Sequence, residues 1–136
     1  MGTITIVTKA PQYSLAVVLA SDDPARLYSG LSLLVSTAGE GARCAALATF
    51  RGLELLTAVD LERRAEDFGD SILSPAGRVT FARSLAELRD TALAMETIDV
   101  YACAATAETT LIEHDLPVMS TPRFLRETAG ARLIFV

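Results

Sequence analysis

Residues 13–50 read YSLAVVLASDDPARLYSGLSLLVSTAGEGARCAALATF. The segment opens with a continuous apolar run, residues 13–20, of strand length. A run without polar alternation suits a strand covered on both faces. Asp22 and Asp23 then precede Pro24. An aspartate can cap a helix, and a proline is tolerated in the first turn because its missing N–H has no partner there. Leu27, Leu31, Leu34, Val35 and Ala38 recur at helical spacing. Gly39 and Gly41 end that helix. Residues 42–50 form a second buried run. Strand, helix and strand in this length make a βαβ unit, whose two strands run parallel.

The same alternation continues outward. Residues 53–68 predict a helix with Leu53, Leu56, Val59 and Phe68 inward, and GDSILSPAGR at 69–78 reads as a loop. The next helix is predicted from Thr80 to Met95, with Phe81, Leu85, Leu88, Ala92 and Met95 on its inner face. A strand over 98–103 leads into a short helix from Thr106 to His114. PVMS at 117–120 is a short strand. Thr121 can cap, and Pro122 open, a last helix closed by Gly130, and RLIFV at 132–136 is a final strand. Ahead of all these, TITIV at 3–7 alternates and stands apart as an edge strand. The order predicts a three-layer α/β/α fold in one domain over residues 1–136. Its sheet is mainly parallel, with about five strands plus the short N-terminal edge strand.

Composition narrows the function. Half of the 136 residues are hydrophobic, enough for a full core without staples. The net charge is -5 and there is no basic run, which argues against nucleic acid or an anionic membrane as the main partner. The N-terminus MGTITIVTKAPQ has no secretory pattern, and no apolar run approaches the ~20 residues that span a bilayer. A cytoplasmic location is expected, where Cys44 and Cys103 are reduced thiols rather than a bridge. One histidine and two distant cysteines fit no standard metal spacing. No phosphate-loop or dinucleotide motif occurs. No metal and no organic cofactor is expected.

The candidate chemistry lies at the end of IDVYACAATAETTLIEHDLP, residues 98–117. In open α/β sheets, sites collect at the carboxyl ends of the strands. Three strand ends are expected to converge there, delivering Ser21, the Thr49–Gly52 segment and Cys103. Cys103 then faces the unpaired N–H groups of the following helix, which favour a thiolate or a persulfide anion. The small residues Ala102, Ala104 and Ala105 leave room for an incoming partner. The alternative is a small buried hydrophobe ending a strand. Thr106 is a candidate cap and a candidate donor to the sulfur. Arg51 is a candidate to hold an anionic sulfur species or a partner carboxylate, or else a solvated arginine. His114 is expected in the last turn of its helix, not as a base. Cys44 reads as a core residue.

The stretches SLAVVLASDDPARLYSGLSLLVSTAGEGARCAALATFRGLELL and AELRDTALAMETIDVYACAATAETTLI resemble the DsrE/DsrF sulfur-relay family. The shared features are an apolar strand with an Asp-Pro turn, a Thr-Phe-x-Gly-Leu segment closing the second strand, and a later strand ending in Tyr-Ala-Cys. The resemblance covers residues 13–136 and implies a carrier that accepts sulfur as a cysteine persulfide and passes it to a partner protein. It maps the reactive cysteine onto Cys103 and implies a homo- or hetero-oligomer. Ala104, Ala105 and Thr106 depart from the small or amide-bearing residues usual after that cysteine. The competing class is a non-catalytic oligomeric scaffold or small-ligand module of the same fold. A thiol-redox protein, lacking C-x-x-C, would need Cys44 close to Cys103.

Overall fold

The computed structural model describes residues 11–68 and 72–136. The expected strand over 3–7 and part of the expected loop over 69–78 lie outside those residues. The elements are β1 (Leu15–Leu19), α1 (Pro24–Gly39), β2 (Cys44–Ala48), α2 (Phe50–Leu56), α3 (Leu61–Glu66) and α4 (Pro75–Ala94). They continue with β3 (Ile98–Cys103), α5 (Ala104–Thr109), β4 (Val118–Met119), α6 (Thr121–Glu127) and β5 (Arg132–Phe135).

The five strands form one all-parallel sheet in the order β4-β3-β2-β1-β5. The three apolar runs that predicted it are neighbours. In register, Leu15 pairs with Cys44 and Cys44 with Ile98. Register partners share a face, so alternate residues sort into two cores. Leu15, Val17, Leu19, Cys44, Ala46 and Val100 lie under α1 to α4, against Leu31, Leu34, Leu53, Leu61 and Leu85. Ala16, Ala45, Leu47, Cys103 and Met119 lie on the other face, against Phe124 of α6. Each large side chain buried this way contributes about 1.5–3 kcal/mol.

α1 begins as read: the Asp23 carboxylate accepts from the N–H groups of Ala25 and Arg26, and Pro24 is the first helical residue. Several boundaries differ from the sequence reading. The single helix over 53–68 is two, α2 and α3. The Thr57 hydroxyl donates back to the Leu53 carbonyl. The Arg89 guanidinium donates to the carbonyls of Leu56 and Ala58, satisfying groups that the break frees. Val59, expected inward, is fully exposed. α4 starts at Pro75, not Thr80, because the Ser74 hydroxyl accepts from the Gly77 N–H and Pro75 opens the first turn. α5 starts directly after Cys103 and stops at Thr109. Thr109 and Thr110 turn their hydroxyls back to the carbonyls of Ala105 and Thr106. Residues 110–113 therefore open no helix, and His114 lies outside α5, its Nδ1 accepting from the Leu116 N–H. Ser120, not Thr121, caps α6.

Candidate functional site

The site is built at the carboxyl ends of β1, β2 and β3. At the end of β1, Ser21 accepts from the Asp23 N–H, and Asp23 is spent capping α1. At the end of β2, Thr49 is extended and Phe50 turns sharply, with φ 40. A bulky residue in that region is uncommon and costs roughly 1–2 kcal/mol. Gly52 shows why the turn is tight. A Cβ there would collide with the carbonyl oxygen of Leu19, so α2 begins in backbone contact with β1. The Phe50 ring is 49 % exposed.

β3 ends in Cys103, whose backbone is extended (φ -63, ψ 130) and serves as the N-cap position of α5. Its side chain points to the α6 face and lies among Met119, Phe124 and Leu47. The residue is only 4 % exposed, between exposed Ala105 on α5 and exposed Thr121 on α6. The Thr121 hydroxyl is 4.0 Å from the sulfur.

Two opposed effects act on this thiol. Burial disfavours the thiolate. The N–H of Thr106, the Thr106 hydroxyl, the Ala105 N–H and the Thr121 hydroxyl favour it, and together they bring the thiol below its ordinary range. Thr106 is fully buried, and its Oγ1 accepts from the Phe50 N–H at 2.9 Å. That bond occupies an acceptor site and leaves the single hydroxyl proton for the sulfur. Thr106, three residues after Cys103, thus ties α5 to the strained turn after β2. The sequence reading proposed Thr106 as a cap or a donor; it is the third residue of α5 and no cap.

Cys44 differs in its place in the sheet and in the direction of its pKa shift. It opens β2, is fully buried on the opposite face, and burial alone raises its thiol pKa. Its register partner is Ile98, the first residue of the strand that ends in Cys103. At the strand rise of ~3.3 Å per residue the two cysteines are roughly 16 Å apart. A disulfide needs Cα atoms within about 7 Å. The thiol-redox pair is excluded.

Arg51 stands beside Phe50 with an exposed side chain, but its guanidinium pairs with Glu54 at 3.0 Å, and Glu54 also accepts from Arg64. His114 lines a separate cleft with Arg89, Asp90 and Leu93. Among the described residues no group of three or more His, Cys, Asp or Glu side chains is placed to hold a metal ion. No described helix is long and apolar enough to cross a membrane. Sequence reasoning missed Thr121 as a neighbour of the sulfur. The only signal was its place just after a short strand, whose position beside β3 was unknown. Comparison with protein-family models and with curated proteins finds no match to this chain.

Proposed function

We propose that the protein is a sulfur carrier that holds sulfur as a persulfide on Cys103 and hands it to a partner protein. The observation that carries this reading is the setting of Cys103: a strand-end thiol at the N-cap position of α5, with the Thr121 hydroxyl of α6 4.0 Å from its sulfur. Donors of α5 and α6 lower its pKa although the residue is buried.

The chemistry balances without a cofactor. The Cys103 thiolate attacks the outer sulfur of a donor persulfide. The donor's S–S bond breaks, its electron pair stays on the departing thiolate, and that group takes up a proton. Cys103 now bears the persulfide. An acceptor thiolate reverses the step at the same outer sulfur. The S–S bond, about 2.05 Å long, carries the transferable sulfur outward from a cysteine that is itself buried. The same donors stabilise the terminal anion. Delivery and removal require a second protein, and the chain works as an oligomer in the cytoplasm.

The burial of Cys103 also favours a second reading, in which the cysteine only fills the end of a strand and the protein is an oligomeric scaffold or ligand-binding module. Incubation with inorganic polysulfide followed by mass spectrometry separates the two. One added sulfur atom on Cys103 and none on Cys44 in the wild type, and none on Cys44 in Cys103→Ser, is the expected result. A protein that takes up no sulfur, or whose two cysteines react equally and slowly, overturns the carrier.

A further inference from the structure

Two large aliphatic side chains, Val59 after α2 and Leu111 after α5, are fully exposed and line one groove. Beside them it opens into a cleft of about 440 Å³, whose lining includes Leu56, Ala58, Arg89, Leu93, His114 and Leu116. Apolar side chains gathered on a concave surface mark a contact site, unlike the scattered exposure of an ordinary surface. The groove lies toward the β4 edge, on the face that carries α1 to α4. Residues 1–10 join the described chain at Pro11, which packs against Gly130 ahead of β5. β5 and β4 are opposite edges of the sheet, roughly 19 Å apart at ~4.8 Å per strand. Residues 69–71 precede Pro75, which is about 21 Å along α4 from Arg89 at ~1.5 Å per residue.

One wall of the groove is the segment that links α5 to β4. Thr110 is extended (φ -125, ψ 164). Leu111, Glu113 and Asp115 are then exposed, while Ile112, His114 and Leu116 are half-buried. That alternation is the pattern of a strand. Ile112 and Leu116 pack on the main core, and the Leu116 N–H donates to His114 Nδ1, so the segment is held in place. The backbone groups of residues 111–115 nevertheless make no hydrogen bond among the described residues. The charges here are one-sided. Glu113 and Asp115 have no ion-pair partner among the described residues. The arginines that line the groove are committed: Arg64 pairs with Glu54, and Arg89 donates to Asp90 and to the carbonyls of Leu56 and Ala58.

We propose that the groove takes an extended, basic and apolar segment of a partner protein, laid beside residues 111–115 as an added strand. Side chains of such a segment alternate as those of the wall do. Two cationic side chains, two residues apart, stand opposite Glu113 and Asp115. The side chain between them is apolar and enters the cleft toward Leu93. An anionic segment would meet two free carboxylates, and a wholly polar one would leave Val59 and Leu111 uncovered. A second copy of this acidic chain, of net charge -5, is the poorer occupant by the same charge argument. The groove lies across the sheet from Cys103, and the inference does not depend on Cys103 chemistry.

The probe is a short synthetic peptide with lysine, leucine and lysine at its centre and glycine and serine on both sides. Titrated into the full chain and followed by amide chemical shifts, it is expected to bind with a Kd of about 100 μM. The shifts are expected at residues 57–59, 89–93 and 111–116. Replacing the leucine by serine, or both lysines by glutamate, is expected to weaken binding about fivefold or more. Glu113→Gln with Asp115→Asn is expected to weaken the lysine peptide about fivefold. Asp22→Asn with Glu40→Gln, an equal loss of charge on the α1 side, is expected to change it less than about twofold. No binding at about 1 mM peptide overturns the inference. So does equal binding of the three peptides, equal weakening by the two pairs of substitutions, or a set of shifts away from the groove. Shifts at the groove that follow protein concentration without peptide would assign it to a second copy and overturn the inference as well.

Discussion

Thr106→Val tests whether one buried hydroxyl couples the turn after β2 to the thiol after β3. Valine nearly matches threonine in volume, so no large cavity opens, and the change is one of polarity. The Phe50 N–H loses its acceptor. A buried donor left unsatisfied costs about 1–3 kcal/mol. This one is only part-buried, so about 1–2 kcal/mol is expected, a fall in midpoint of roughly 3–10 °C for a domain of this size. The thiol loses one of its favourable contacts while its burial is unchanged, so its pKa moves up toward the ordinary value. Thr106→Ser keeps the hydroxyl and removes one methyl, at about 1 kcal/mol. Stability therefore separates the two variants poorly, and the pH dependence of the thiol separates them well. The assay is the rate of iodoacetamide modification of Cys103 against pH, read by peptide mass spectrometry, with thermal unfolding in parallel. Wild type and Thr106→Ser are expected to level off at a lower pH than Thr106→Val. Identical profiles for serine and valine, or an undiminished midpoint in the valine variant, refute the coupling.

Gly52→Ala is expected to cost about 3 kcal/mol or more, because the new Cβ meets the backbone of Leu19 and Ala20 and α2 must move away; a denaturant midpoint equal to wild type would refute the close approach. Tyr13 donates to Asp99 at 2.6 Å, and burial and then that bond raise its pKa. A raised pKa gives stability that is full below the unfolded value near ~10 and is lost as pH rises through the folded one. Tyr13→Phe is expected to lose about 1–2 kcal/mol at neutral pH and to show a flatter alkaline limb in unfolding curves than wild type.

The βαβ opening was legible because each signal was local. Two continuous apolar runs, an Asp-Pro start and paired glycines are all read within a few residues, and β1, α1 and β2 follow them. The end of α2 was not legible, because Arg89, far along the chain, satisfies the carbonyls freed there. Ser74 and Pro75 did carry the start signal of α4, but the surrounding glycines and the neighbouring Asp-Ser pair read as loop. At the site, Cys103 was legible as a strand-end thiol. Thr121 was not, since its nearness depends on β4 lying beside β3. Nor was the strained backbone of Phe50, because nothing in Thr-Phe-Arg-Gly marks the phenylalanine, rather than the glycine, as the left-handed residue. Gly52 serves the close approach to β1 instead.

The placement of the two cysteines on opposite faces of the sheet has a kinetic consequence. With Cys44 fully buried and out of reach, the chain has no second thiol that can attack a sulfur bound to Cys103. A bound sulfur cannot be expelled by closing an internal ring. Under the proposed function, each chain therefore carries one sulfur at a time and releases it only on encounter with an outside thiol. Loading and unloading are both bimolecular, and flux is set by the concentrations of the partners rather than by an internal clock.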